Sequence, residues 1–344
     1  MGGLRAPRRK GAPAVRVLVT GASGYLGGAV AQALVARCDE VRTFQRRPSG
    51  VAGVQDVLGD LTDPGRVRAA VEGVDAILHL AAKVSLAGPV ADFDRINVEG
   101  TRTLLAEARA AGVHRFVDVS SPSVAHAGDS LVGDGAGPAD PARARGDYAR
   151  TKAAAELLAL EADAPGFAVV VVRPHLVWGP GDPQLVGRIV ERARQRRLPL
   201  IGSGAALIDT TYIDNAVSAL LAALDRAEDV HGRAYVVTNG EPRPVAELLG
   251  GICTSSGVPA PSWHVPARVA RAAGGAVEGV WRIRPGRDEP PMTRFLAEQL
   301  STAHWFDQRR TREELRWSPT VTIDDGLATL ARWSADQRGG YAAG

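Results

Sequence analysis

Apolar residues in this chain fall into two alternating kinds of run. Short, β-branched runs recur at Val15-Arg16-Val17-Leu18-Val19-Thr20, Glu40-Val41-Arg42-Thr43-Phe44, Asp75-Ala76-Ile77-Leu78-His79-Leu80, Arg115-Phe116-Val117-Asp118-Val119 and Ala168-Val169-Val170-Val171-Val172. Nearly continuous apolar runs of this length read as buried strands. Val54 to Leu58, closed by Gly59-Asp60, reads as one more. Between them lie stretches with apolar residues at helical spacing: Gly28 to Arg37, Asp63 to Glu72 with Pro64 in its first turn, Phe93 to Ala111 ending at Gly112, and Asp147 to Glu161. Repeated βα units of this size predict an α/β fold with a doubly wound parallel sheet and right-handed crossovers.

After Arg173 the pattern loosens. Pro174, Gly179, Pro180, Gly181 and Pro183 mark a turn-rich connector, and shorter pieces follow. Ala234-Tyr235-Val236-Val237 is the clear strand among them, and Val265 to Ile283 is an apolar helical stretch interrupted by Gly274-Gly275. The division expected is a dinucleotide-binding domain at 15–174, to which 208–228 returns, and a smaller substrate-binding region from 175–207 and 229–338. The loop Ala125 to Gly146 is long enough to be a lid or the edge of a site.

Composition narrows the class. The chain has 344 residues and 45% hydrophobic content, with no apolar run that reaches the ~18 residues of a membrane span. Its net charge of +3 depends on Arg5, Arg8, Arg9 and Lys10 in segment 1–14, which reads as a disordered basic tail without the apolar stretch of a secretion signal. Without those four charges the rest stands near −1, so the basic balance does not point to nucleic acid. Cys38 and Cys253 lack metal-ligand spacing and read as buried free thiols of a cytoplasmic protein. No metal site is expected.

Two local patterns carry chemistry. Gly21, Gly24 and Gly27, with Ser23, Tyr25 and Leu26 among them, form a glycine turn between the first strand and a helix. There the backbone can approach a pyrophosphate at the helix N-terminus. At the end of the second strand, where an NAD site tends to place an acid, the chain has Arg46 and Arg47. A 2′-phosphate would find donors there, so NADP is favoured, with NAD as the alternative. Asp60-Leu61 would lie near the adenine. Ala81 and Ala82 end the fourth strand with small side chains that suit close approach.

The second pattern is Tyr148-Ala149-Arg150-Thr151-Lys152, whose tyrosine and lysine share one helical face. Only three lysines, Lys10, Lys83 and Lys152, occur in this arginine-rich chain. An ammonium beside a phenol favours the phenolate, so Lys152 is expected to lower the Tyr148 pKa and make it a general acid/base.

Together these segments resemble the short-chain dehydrogenase/reductase superfamily, extended branch, with its Rossmann fold. The resemblance rests on Thr20 to Gly27, Asp60-Leu61, His79-Leu80-Ala81-Ala82, Asn97 to Thr101, Ser120-Ser121, Tyr148 to Lys152, Arg173-Pro174 and Val177 to Asp182. Val119 to Val124 is similar to the 3β-hydroxysteroid dehydrogenase-like group. Arg173 to Pro183 and Glu289 to Phe295 are similar to bacterial 2-alkyl-3-oxoalkanoate reductases of olefin and β-lactone lipid biosynthesis.

The resemblance implies Tyr148 as proton donor, Lys152 as its tuner and as holder of the nicotinamide ribose, and Ser121 as the group that orients the substrate carbonyl. It implies cofactor contacts from Pro174 and Val177 as well, and a water-chain or kink role for Asn97, against which stands a plain solvent-facing asparagine. His175 and Trp178, just past a strand end, are substrate-contact candidates, with core packing as the alternative. Asp214 reads as a cap for a helix that begins near Asn215.

The function expected is NADPH-dependent reduction of a 2-alkyl-3-oxoalkanoate, so the partner is a lipid-like keto acid or alcohol. The alternatives are a 3β-hydroxysteroid or sterol dehydrogenase using NAD, and a sugar-nucleotide epimerase or dehydratase that would draw on Arg188, Arg192 and Arg282. A binding protein without catalysis would not need both Tyr148 and Lys152. Val265 to Trp281 reads as a helix covering the substrate region, with an acyl-pocket wall or peripheral membrane contact as the alternatives. A homodimer or a multienzyme assembly is the higher-order form to expect.

Overall fold

The computed structural model describes residues 15–85, 88–126, 128–283 and 293–342. The basic segment 1–14 and the segment 284–292, with most of the Glu289-to-Phe295 similarity, lie outside the described residues.

The strands are β1 (Arg16–Thr20), β2 (Glu40–Gln45), β3 (Gln55–Leu58), β4 (Ala76–His79), β5 (Arg115–Val119), β6 (Leu131–Asp134), β7 (Ala168–Pro174) and β8 (Val177–Trp178), followed by shorter ones. Seven strands form one parallel sheet in the order Arg233–Val237, β7, β5, β4, β1, β2, β3. The order reverses between β1 and β4, and at such a switch point a crevice opens beyond the carboxyl ends of the strands.

The helices are α1 (Tyr25–Ala36), α2 (Pro64–Val71), α3 (Val90–Phe93), α4 (Gly100–Ala110), α5 (Gly146–Glu161), α6 (Val186–Arg194) and α7 (Ile213–Val230), with others nearer the C-terminus. Alternate strand residues face opposite layers, as the pleat demands. Val17, Val19, Leu78, Val117, Val170 and Val172 pack on one face with α1 and α7. Leu18, Ile77, Phe116 and Val169 pack on the other with α2 and α4. Every residue of β7 is buried, which accounts for its unbroken valines.

Several elements differ from the pattern-based expectation. The long helix expected over Phe93–Ala111 starts earlier, at α3, and runs without a break into α4 through a π-helical turn at Asp94–Glu99. Asp63 caps α2 through its side chain, whereas α7 begins at Ile213, so Asp214 lies inside the first turn instead of capping it. The Gly274-Gly275 pair does not interrupt the helix Ala267–Ile283. A Cβ on Gly274 would stand 2.6 Å from the Thr293 carbonyl carbon, so glycine there lets the next helix, Arg294–Gln299, approach. Cys253 is buried, but Cys38 is exposed in a left-handed turn after α1.

The loop after β5 is not structureless. Its strand β6 pairs in parallel with His304–Phe306, within a small sheet that also holds Leu207–Ile208 and Arg243–Pro244. Among the described residues no helix is long and apolar enough to cross a membrane.

Candidate active site

A cleft of about 930 Å³ runs along the carboxyl edge of the main sheet. Its first half is the glycine turn. Gly21 has φ +76°, and a Cβ there would stand 2.8 Å from the Ala81 backbone. A Cβ on Gly27 would collide with the Gly21 carbonyl oxygen. Glycine is therefore required for the turn to close against the end of β4. The N-terminus of α1 has no side-chain cap and no acid in its first turn, so its N–H groups and dipole stay available to an anion.

Gly21, Ser23, Gly24, Tyr25, Leu26, Gly27, Arg46, Arg47, Asp60, Leu61, Ala81, Ala82, Pro174 and Val177 all line this cleft, whereas Lys152, expected at the nicotinamide ribose, does not. Arg46 and Arg47 are exposed at its rim. Asp60 accepts from the Thr62 N–H and hydroxyl and lies 3.7 Å from Arg95. Burial pushes its pKa up, but these hydrogen bonds and the charges of Arg95 and Arg46 outweigh burial and hold it below the ordinary range. The Tyr25 hydroxyl is buried without a hydrogen-bond partner. The site fits an elongated anionic cofactor: a close backbone turn, an open helix end and cations at the far rim.

A hydrogen-bonded chain holds the floor. The Thr20 hydroxyl accepts from the Leu80 and Ala81 N–H groups, each at 3.1 Å, and is 2.8 Å from His79 Nδ1. His79 Nε2 is 3.0 Å from the Thr101 hydroxyl, which donates to the Asn97 carbonyl at 2.7 Å. With the Thr101 hydrogen committed, Nε2 carries the imidazole proton and Nδ1 accepts from Thr20. Burial pushes the His79 pKa down to about 3, so the ring is neutral. Asn97 is buried inside the π-helical turn, not solvent-facing: its amide reaches the Lys83 backbone and the Thr151 hydroxyl. It thereby ties this turn to α5 beside Lys152.

The other half of the cleft is built by β5 and α5. Ser121, Tyr148 and His175 line the cleft. Ser121 Oγ accepts from the Ser123 hydroxyl at 2.9 Å and from its N–H at 3.3 Å, which leaves the Ser121 hydrogen free to donate. The neighbouring Ser120 hydroxyl is buried without a partner.

Lys152 lies one turn after Tyr148, but its ammonium pairs with Asp118, 3.6 Å away and fully buried. The expectation for Tyr148 is corrected. Burial pushes the phenol up to about 12, and the Asp118 charge pushes the same way, instead of Lys152 pulling it down. The Asp118 pKa is itself raised, chiefly by burial, with Lys152 opposing the rise. An acid inside a buried strand run was visible in the sequence; its partner was not.

Below this pair Glu156 of α5 and Arg173 of β7 form a second buried ion pair, with Arg173 Nε 2.9 Å from Glu156 Oε2. Arg173 also donates to the Gly137 carbonyl at 2.8 Å, fixing the loop after β6.

Trp178 is not a substrate contact. It is fully buried, packs edge-on against Tyr212 and donates to the Thr210 hydroxyl at 2.9 Å. The apolar wall of this half comes from Leu131, Ile208, Leu296 and Leu300, and none of Val269, Ala272, Ala273, Val277 or Val280, from the helix expected to cover a substrate region, lines it. His126, Gln299 and His304 line the same half. No local sequence pattern singled them out. Among the described residues no cluster of His, Cys, Asp and Glu can hold a metal ion.

Residues 17–238 match the model of the NAD dependent epimerase/dehydratase family. The chain is 42% identical over 331 residues to a 2-alkyl-3-oxoalkanoate reductase from Stenotrophomonas maltophilia, covering 93% of this chain and 100% of that protein. It is 36% identical to a 2-alkyl-3-oxoalkanoate reductase from Shewanella oneidensis, covering 91% and 84%. Among solved structures, a dTDP-glucose 4,6-dehydratase from Streptomyces venezuelae with NAD and TYD bound matches with TM-score 0.73 and 26% identity, covering 95% of this chain and 98% of that one. The chain is thus an oxidoreductase of the NAD dependent epimerase/dehydratase family, in the extended branch of the short-chain dehydrogenase/reductases.

Proposed function

We propose that this protein is an NADPH-dependent reductase that converts a 2-alkyl-3-oxoalkanoate to the 2-alkyl-3-hydroxyalkanoate. The observation that carries this reading is full-length similarity to a reductase of that substrate, in a chain whose Ser121 and Tyr148 wall one cleft. NADPH, when bound along the glycine turn, supplies the hydride. Ser121 donates its free hydrogen to the ketone oxygen and orients it. Tyr148, protonated at neutral pH, gives its proton to that oxygen as negative charge develops there. Lys152, one helical turn from Tyr148 with its ammonium on Asp118, is the residue that would hold the cofactor ribose. Arg46 and Arg47 supply the preference for the 2′-phosphate.

Purified protein offered NADPH or NADH with a 2-alkyl-3-keto acid, and NAD⁺ with a 3β-hydroxysteroid, tests the reading. Oxidation of NADPH by the keto acid is expected, faster than that of NADH. Activity with the steroid pair alone overturns it. Tyr148→Phe is expected to lower kcat by roughly 10²–10⁴-fold while cofactor binding persists. Near-normal turnover in that variant removes Tyr148 from the mechanism.

A further inference from the structure

Three histidines from distant parts of the chain meet at the substrate end of the cleft. The His126 and His304 rings are 4.8 Å apart between centroids, and His175 stacks on His304 at 6.0 Å. All three are buried. Two of them are already committed. His175 Nδ1 donates to the Asp209 carbonyl at 2.6 Å. His304 Nε2 is 2.7 Å from the Thr302 hydroxyl, which spends its own hydrogen on the Glu298 carbonyl at 2.7 Å, so Nε2 must be the donor. His126 differs: neither ring nitrogen has a partner, although both are buried. A buried imidazole without hydrogen bonds is costly unless a ligand completes it.

His126 also stands on the short turn that Ser121 opens, linked by Val124 N–H to the Ser121 carbonyl and His126 N–H to the Ser123 carbonyl. The ketone-orienting hydroxyl and the orphaned imidazole are thus built on one rigid piece. In a 3-oxoalkanoate the ketone and the carboxylate are separated by a single carbon, so a group that binds the acid must stand near the one that orients the ketone.

We propose that His126, backed by His304 and His175, is the subsite that receives the carboxylate of the substrate, donating a hydrogen bond to it as an imidazolium. This rests on the reductase reading above and adds which end of the substrate is recognised. The proton comes from solvent as the anion enters, so binding conserves charge within the pocket and no covalent bond changes. The surroundings permit the exchange. Burial holds the empty His126 below its ordinary pKa, while Glu298 and Asp129 act to raise it and Arg145 acts to lower it. His304 and His175, pushed down to about 3 and about 4 chiefly by burial, are neutral neighbours. An entering carboxylate adds the missing negative charge and raises the His126 pKa. The free imidazole is neutral at pH 7, so acid binding tightens as pH falls from 8 toward 6.

The test is calorimetry on the full chain loaded with NADPH, titrated with a 2-alkyl-3-hydroxyalkanoate and with its methyl ester. Reduced cofactor with the hydroxy product cannot turn over, so binding is read alone. Repetition in buffers of different ionisation enthalpy counts protons. The acid is expected to bind about 10-fold or more tightly than the ester near pH 6.5, with uptake of up to about one proton, and this advantage shrinks toward pH 8. His126→Leu is expected to bind acid and ester alike without proton uptake. His126→Gln keeps part of the preference and loses the uptake. Equal binding of acid and ester by the unaltered protein overturns the subsite, as does an undiminished preference in His126→Leu. Turnover of the hydroxy acid with NADP⁺ is measured separately. Its absence, with acid-selective binding intact, overturns the reductase reading and leaves the subsite standing.

Discussion

Replacing Glu156 by glutamine probes the ion pair that joins α5 to β7. The carboxylate and guanidinium are both buried, and they meet through two contacts, one of 2.9 Å. At an effective dielectric constant of about 20, unit charges 2.9 Å apart attract by about 6 kcal/mol before desolvation. Desolvation cancels much of that in the intact pair. The variant still carries the desolvation cost of Arg173 but lacks the anion, so unfolding free energy is expected to fall by about 3–5 kcal/mol. Substituting Arg173→Leu in the same chain removes the stranded cation and is expected to return a large part of the loss. Urea titration of the four members of this double-mutant cycle, followed by tryptophan fluorescence, reads the coupling directly. A loss below about 1 kcal/mol in Glu156→Gln, or simple additivity in the double variant, refutes the reasoning. Turnover gives a second readout, because the helix held by this pair presents Tyr148.

Asp118→Asn removes a charge that raises the Tyr148 pKa, so the phenol pKa falls. Reduction needs the protonated phenol and is lost as pH rises through that pKa. The alkaline limb of kcat for reduction should therefore move to lower pH, as a pH–rate profile would show. An unmoved limb excludes electrostatic control by Asp118. Arg46→Ala should raise KM for NADPH at least about tenfold more than KM for NADH, as initial rates with each cofactor would show. Equal effects on both exclude a role in reading the 2′-phosphate.

That the glycine turn and the strand ends beside it share one cleft was legible because those determinants are local. The glycine turn and the strand end with Arg46 and Arg47 each lie within one stretch of sequence. Periodicity placed a helix over 93–111 but not its π-helical turn, whose wider winding sets Asn97 inward. Tyr148 shows where local reasoning stops. The lysine that should tune it was visible, but the acid that takes up that lysine comes from β5, across the sheet. Between His175 and Trp178 the residue types did not decide which faced the cleft; the turn after β7 did. His126 and His304 gave no signal, because nothing periodic links residues so far apart in sequence.

Strand β6 and its partner at His304–Phe306 also impose an order on synthesis. The seven-stranded sheet is complete once Val237 has emerged from the ribosome, and it can begin to consolidate then. The partner of β6 arrives much later, so for that interval β6 offers open backbone groups on an edge. A chain that ends before His304 keeps this edge permanently and never assembles the histidine cluster. Loss of the last segment would thus appear first as aggregation of the nascent or truncated chain, ahead of any change in how the glycine turn is built.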